Sequence, residues 1–363
     1  MEKLRTYNWG ILGCGRISND FILALNSPDR RFSHIAHAVA TSNDLSRAQD
    51  FAKTHGVLKA YGSYKELCQD PKIDIIYIGT TNNSHFENAK LALVNKKHVL
   101  VEKPIALNVN DIKKLYQIAK ENDCFLMEGM WSRCIPLIQK LGELINNNRI
   151  GAILSVCATF PSSSYYRVER ISKKELGGGG LYDAGIYPIQ FGLFCYDDQP
   201  PDDIIVTGVK DAENIDTVSN INLIWHKKGI ANCFNSTIQA GERSAIIIGT
   251  KASIRFNYTF WTPTEFEILE QNDENQQWEV VETIKGKLPG LANEEKIEME
   301  NKPGYGFYSD KLNFVNSGNL LYEADHVVDM VRRGRKESTY WSEEKCLNTH
   351  RIIEYALGKI NNA

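Results

Sequence analysis

One pattern constrains this chain more than any other: across its first 130 residues, short apolar runs alternate with stretches of helical periodicity, and the first junction between them is glycine-rich. Trp9 to Leu12 is apolar, Gly13-Cys14-Gly15 interrupts it, and Phe21, Ile22 and Leu25 follow at helical spacing. The spacing predicts strands over Ser33–Ala40, Asp74–Gly79, His98–Glu102 and Phe125–Glu128. It predicts helices from Asp44 to Gly56, over Ser84–Val94 and over Asn110–Glu121. The Ile-rich run before Gly79 is almost continuously apolar, as a strand is when helices cover both faces of its sheet. Strand and helix alternating in this way give a parallel, doubly wound sheet of the Rossmann kind.

Beyond residue 130 the rhythm changes. After a helix near Pro136–Asn147, strands are expected over Gly151–Phe160, Ile204–Lys210, Thr217–Trp225, Ala231–Ser236, Ser244–Gly249 and Ala252–Phe256. Successive strands without crossover helices point to a mostly antiparallel, open sheet in an α+β domain. The charged stretch from Gln271 to Asn301 reads as hairpin and loop, and helices near Leu320–Arg333 and Glu343–Ile360 follow. With 363 residues the prior is two domains, placed at 1–129 and 130–363.

Composition excludes some functions. Forty-two Lys and Arg against 45 Asp and Glu leave no basic excess for nucleic acid or an anionic membrane. No apolar run is long enough to span a bilayer, and no signal core precedes the first strand. Eight scattered cysteines form no Cys-x-x-Cys pair and stand near no histidine at zinc spacing, so reduced thiols, no metal and a cytoplasmic location are expected.

Three motifs carry chemistry. Gly13-x-Gly15-x-x-Ser18 lies between a strand and a helix, where Gly15 lets amides approach a pyrophosphate and Arg16 and Ile17 open the helix. The second strand ends in Ala40-Thr41-Ser42-Asn43, with Arg47 one turn into the next helix. Hydroxyls, an amide and a cation suit a 2′-phosphate better than a free ribose diol, so NADP is favoured over NAD; Asp44 either faces the ribose or caps the helix. Glu102-Lys103-Pro104 ends another strand at the carboxyl edge of the sheet, with the direction of Lys103 restricted by the proline. Gly177 to Gly180 precede a helix in which Asp183 and Tyr187 stand at i, i+4, so a carboxylate and a phenol share one face; the alternative is a flexible loop before a half-buried aromatic. His85, with Thr80 and Asn82 after a strand, is placed at the cofactor or as a helix cap. His226 and His326 have no readable carboxylate partner and default to structural roles.

Together these motifs resemble the glucose–fructose oxidoreductase/inositol dehydrogenase (Gfo/Idh/MocA) superfamily, and within it the dimeric dihydrodiol dehydrogenase branch, whose members also act as NADP-dependent D-xylose 1-dehydrogenases. Leu126 to Arg133, Trp261 to Glu265 and Tyr322-Glu323-Ala324-x-His326-Val327 extend the likeness over most of the chain. The resemblance implies an NAD(P)-dependent dehydrogenase of a sugar hemiacetal or trans-dihydrodiol, with Tyr187 as acid/base assisted by Lys103. It also implies Asp183, Trp131, Phe160, Arg133 and Trp261 around the substrate, cofactor contacts at Thr80, Asn82, His85, Glu102 and Lys103, and a homodimer through the open sheet. The branch has arginine where this chain has Asn43, and a more usual aliphatic residue at Tyr182. Reduction of an anhydro-keto sugar on the same scaffold, and a non-enzymatic cofactor-binding regulator, are the competing expectations.

Overall fold

The computed structural model describes residues 5–291, 300–302, 306–308 and 312–360. In the first 130 residues, β1 (Thr6–Leu12), α1 (Arg16–Leu25), β2 (Ser33–Ala40), α2 (Leu45–His55), β3 (Lys59–Tyr61), α3 (Tyr64–Gln69), β4 (Ile75–Ile78), α4 (His85–Val94), β5 (His98–Glu102), α5 (Val109–Glu121) and β6 (Leu126–Gly129) alternate as the periodicity requires. The six strands are all parallel, in the order β3-β2-β1-β4-β5-β6. The chain reverses direction between β1 and β4, the switch point at which such sheets open a crevice at their carboxyl ends. Every residue of β4 is buried. Tyr77, on β4, stacks on Phe21 of α1 with ring centroids 3.8 Å apart.

Local signals set the helix boundaries. Asp44 accepts the Arg47 amide at 3.0 Å and caps α2, and Gly56 ends that helix in the left-handed conformation. Ser63 caps α3 and Asn108 caps α5 in the same manner.

The second unit begins with α6 (Pro136–Asn146), its proline in the first turn where the missing N–H costs nothing. β7 (Ile153–Pro161), the short α7 (Glu169–Ser172), α8 (Ile186–Cys195), β8 (Asp203–Lys210), β9 (Asp216–Trp225), β10 (Gly229–Ser236), β11 (Ala245–Gly249), β12 (Ser253–Phe256), β13 (Glu265–Gln271) and β14 (Trp278–Lys285) follow. These eight strands form one sheet in the order β14-β13-β12-β11-β7-β10-β9-β8, antiparallel except for the β7–β10 pair. Almost every side chain of α8 is apolar, and it lies against β7 and β10, with a Cβ on Gly192 only 2.9 Å from that of Ala231. The hairpin expected after Gln271 is present: β13 and β14 pair antiparallel across its turn and extend the sheet, a strand over Glu265–Gln271 not having been expected. Phe266 and Ile268 are buried while Glu265 is exposed, a period of two that the acidic residues disguise.

The chain does not divide into two consecutive stretches. The first unit takes the described residues of 1–134, 288–301 and 307–346; the second takes those of 135–287, 302–306 and 347–363. Buried carboxylates explain the return. Asp20 of α1 accepts the amides of Asn313 and Phe314 and the Ser317 hydroxyl, and Asp325, on α9 (Leu320–Arg332), accepts the amides of Arg31 and Phe32 and faces His34 Nε2 at 2.9 Å. The helix α10 (Glu343–Lys359) completes the described chain.

Candidate active site

The glycine turn after β1 has the geometry that its motif demands. Gly13 has φ +94°, and a Cβ there would stand 2.7 Å from the Gly79 carbonyl oxygen, so both backbone conformation and space require glycine. Gly15 is extended and serves as the N-cap of α1 without a side-chain cap, which leaves the first amides of that helix for an anion. A Cβ on Gly15 would make only ordinary contact with the chain, so its smallness is matched to something other than the protein's own packing. Ser18 is buried and its hydroxyl abuts Gly79, the close helix–strand packing that the third motif position provides. Burial pushes the Cys14 thiol up to about 11 against the pull of the Arg47 guanidinium, which makes it packing rather than a nucleophile.

Around the end of β2, Arg47 Nη2 donates to the Cys14 carbonyl at 3.1 Å, which holds the cation over the glycine turn. Asp44 has its carboxylate in the helix cap, and Thr41 Oγ1 both donates to the Asp44 carbonyl and accepts the Asp44 amide. Ser42 and Asn43 are exposed. The Arg16 guanidinium turns to Asn313 and lies 5.1 Å from the Phe314 ring, so its side chain braces the returning segment and only its backbone opens the helix. Ile17 is half-buried behind it.

Glu102 and Lys103 are half-buried at the end of β5, and the Lys103–Pro104 peptide is cis. Tyr77 donates its hydroxyl to Glu102 Oε1 at 2.7 Å. His85 is buried, with Nδ1 2.7 Å from the Pro104 carbonyl and Nε2 3.1 Å from the Thr80 carbonyl. Both ring nitrogens thus face main-chain oxygens, which ties His85 to two loops at the sheet edge. Thr80 Oγ1 accepts from Ser84 and Asn88, and Asn82 is buried in the same turn. Trp131 and Arg133 follow β6; both are buried, with the Arg133 guanidinium 5.0 Å from the Trp341 ring centroid.

In the second unit the glycines Gly177 to Gly180 lead into a π-helical turn, Leu181–Gly185, and then directly into α8. Asp183 rides on the turn and Tyr187 on the start of α8. Tyr187 is buried among aromatics, its ring centroid 5.7 Å from Phe160 and 6.2 Å from Trp261, while Phe160 and Trp261 are 4.3 Å apart. Two residues from separate parts of the sequence, Phe160 and Trp261, thus form one wall beside a phenol.

Three further residues belong here, and local sequence pattern offered no signal for them. Arg170 Nη2 donates to Asp183 Oδ1 at 2.8 Å. The Arg243 guanidinium lies 5.3 Å from the Phe160 ring and 5.7 Å from Trp261, a cation over the aromatic wall. Asp216, buried at the start of β9, accepts the Leu181 amide at 2.6 Å. Three of the four glycines approach the protein itself: Gly179 has φ +131° and a Cβ there would strike Asp216 Oδ1, one on Gly178 would strike the Ile171 carbonyl, and one on Gly180 the Asn235 amide.

The remaining histidines separate. His326 is buried, hydrogen-bonds Ser338 Oγ at 2.7 Å and is pushed down to about 4 by burial. His226, for which no carboxylate was readable, pairs with Asp203 at 3.0 Å on the surface.

A parallel sheet with a glycine turn at its switch point, joined to an open sheet bearing a buried phenol, defines a dinucleotide-dependent oxidoreductase architecture. Comparison with known sequences agrees. Residues 7–130 match the oxidoreductase family with an NAD-binding Rossmann fold, and residues 138–255 match the GFO/IDH/MocA C-terminal domain. The chain belongs to the GFO/IDH/MocA family and is an NAD(P)-binding oxidoreductase of that type. It is 34% identical over 334 residues to trans-1,2-dihydrobenzene-1,2-diol dehydrogenase of Danio rerio, covering 92% of this chain and 91% of the relative. It is 31% identical over 331 residues to the Homo sapiens enzyme of that name, covering 91% and 90%. Among solved structures, levoglucosan dehydrogenase in complex with NADH and levoglucosan superposes with a TM-score of 0.79 at 17% identity, covering 98% of each chain. A 3-ketoreductase from Actinomadura kijaniata in complex with NADP and TDP-benzene gives 0.76 at 18%, covering 99% of each. Among the described residues no helix is long and apolar enough to cross a membrane.

Proposed function

We propose that this chain is an NADP-dependent dehydrogenase of a secondary alcohol or hemiacetal on a small cyclic substrate, a trans-dihydrodiol or an aldopyranose such as D-xylose. The observation that carries the proposal is the setting of Tyr187, a buried phenol beside the Phe160–Trp261 wall on the same helix start as Asp183. The relatives named trans-1,2-dihydrobenzene-1,2-diol dehydrogenase support the dihydrodiol, and the Asp183–Arg170 pair supports a hydroxyl-rich ring.

The cofactor fits the residues present: Gly13 and Gly15 would cradle its pyrophosphate at the start of α1, and Arg47, with Ser42 and Asn43, would receive the 2′-phosphate. Asp44 accepts the Arg47 amide as the helix cap, an engagement that competes with binding a ribose hydroxyl. Only Arg47 stands where the resembled branch has two arginines on the 2′-phosphate, so the preference for NADP is relaxed and NAD is accepted as well. When bound, the nicotinamide ring serves as acceptor of the hydride from the carbinol carbon. Tyr187 takes the hydroxyl proton, and Lys103 eases that transfer by stabilising the phenolate, since a phenol near pKa ~10 is a weak base at neutrality. Asp183 orients a neighbouring hydroxyl and is itself held by Arg170. Phe160, Trp261, Trp131 and Arg133 shape the site, and the same residues run the reaction in reverse on a carbonyl.

The protein acts as a homodimer through the open face of the second sheet. Ile205 and Val209 of β8, Ile230 of β10 and Ile248 of β11 are exposed there, and Phe234 is half-exposed beside them. The decisive assay follows nicotinamide absorbance with NADP+ or NAD+ against trans-1,2-dihydrobenzene-1,2-diol and D-xylose. Tyr187→Phe and Lys103→Met are expected to lower kcat by about 100-fold or more while NADP+ still binds. Normal turnover in both variants would sink the mechanism.

A further inference from the structure

The turn that carries Asp183 and Tyr187 begins with a defect. Gly180 is its N-cap and has no side chain with which to cap it, so the first amides of the turn need an acceptor from elsewhere. Asp216 supplies one from β9, thirty-five residues away: its Oδ2 accepts the Leu181 amide at 2.6 Å, and the amides of Gly180 and of Asp216 itself also turn toward the carboxylate. Gly179 leaves just the room that Oδ1 occupies. From the opposite side, the buried Asn235 amide lies 2.5 Å from where a Cβ on Gly180 would stand. Asn235 Nδ2 and Oδ1 and Ser219 Oγ, the latter from the residue facing Asn235 across β9 and β10, are buried without hydrogen-bond partners. A floor this polar under the apolar helix α8 is not what packing alone selects, because every such group is costly to bury.

We propose that Asp216 is a positioning residue: by capping the turn from below it sets where Asp183 and Tyr187 stand, and so governs turnover without touching substrate. The inference rests on the acid/base role of Tyr187 and adds a control to it. The cap is adjustable at physiological pH. Burial pushes the Asp216 carboxyl up to about 7, against the opposing pull of the Leu181 amide and Lys210. Lys210 faces it in register on β8 and has its ammonium on the Leu357 carbonyl. From the turn, Tyr182 is the neighbouring titratable group, its phenol pushed up by burial and by Asp216. Asp183 and Arg170 pair with each other. The ionised carboxylate is the stronger acceptor for the turn's amides, so the turn tightens as pH rises through about 7.

The test compares wild type, Asp216→Asn, Asp216→Leu and Tyr187→Phe in steady-state oxidation of trans-1,2-dihydrobenzene-1,2-diol and D-xylose by NADP+ from about pH 5.5 to about pH 9. NADP+ binding is followed by quenching of protein fluorescence, and folding by circular dichroism. Asp216→Asn keeps an acceptor oxygen but cannot ionise. It is expected to stay active and bind NADP+ normally while losing the rise in kcat near pH 7 expected of wild type. Asp216→Leu removes the cap and is expected to lower kcat at least about tenfold with NADP+ binding unchanged. If Asp216→Asn keeps the wild-type rise near pH 7, or a folded Asp216→Leu turns over within about twofold of wild type, the inference is overturned. Should Asp216→Leu fail to fold, the profile of Asp216→Asn decides alone. Full activity in Tyr187→Phe refutes the acid/base role instead, whatever the Asp216 variants do.

Discussion

Arg47 has a part in the fold and, in the function proposed above, a part at the ligand. Its amide is the donor that Asp44 caps, and its guanidinium reaches back to the Cys14 carbonyl over the glycine turn. Removing the side chain leaves the cap intact, because the capped group is backbone. Arg47→Ala is therefore expected to raise KM for NADP+ about tenfold, the worth of one charge-assisted phosphate contact, with KM for NAD+ nearly unchanged. Steady-state kinetics with each cofactor checks this, and equal effects on both would remove Arg47 from the 2′-phosphate site. The residues of this turn were readable because each answers a local demand. Gly13 and Ser18 satisfy positions four or five residues apart on one strand–turn–helix, where chain connectivity itself supplies the geometry. His85 was less readable. Its contacts to the Thr80 and Pro104 carbonyls are set by how the sheet edge folds, which no local period shows.

Among the elements, α1 depends on a carboxylate that no helix pattern would flag. Asp20 is fully buried and receives the Asn313 amide at 2.9 Å, the Asn313 side chain at 2.9 Å, the Phe314 amide at 2.9 Å and the Ser317 hydroxyl at 2.6 Å. It pins the returning segment to the helix that starts at the phosphate turn. Asp20→Ala would strand several buried donors at once, and the expected loss is roughly 2–4 kcal/mol of unfolding free energy, read from urea denaturation. A loss under about 0.5 kcal/mol would mean that water replaces the carboxylate without cost. Strand β13 carries a similar lesson. Its alternation of Glu265, Phe266, Glu267 and Ile268 is a regular half-buried strand, but the surrounding charge makes the stretch look like loop until β12 and β14 are seen beside it.

For the whole molecule, the open sheet face has consequences for assembly. Exposed Ile205, Val209, Ile230 and Ile248 lie around a polar centre in which the Asn232 side chain donates to Asn220 and Asn222. Several apolar side chains exposed on one sheet face favour association. Light scattering is expected to give a dimer, and Ile230→Asp combined with Phe234→Asp a folded monomer. A monomeric wild type at micromolar concentration would leave the face to another partner. The alternating periods of the chain determined the two sheets, the glycine turn and the residue types of the site, because hydrophobic period, turn residues and caps act over a few neighbours. Only the tertiary structure decided that Arg170 holds Asp183, that Asp216 caps the turn before Tyr187, and that residues 312–346 return to the first unit. Those pairings join residues from 13 to 297 positions apart. The partners of a buried charge are chosen by which backbone donors the completed topology brings beside it, and no local period encodes that choice.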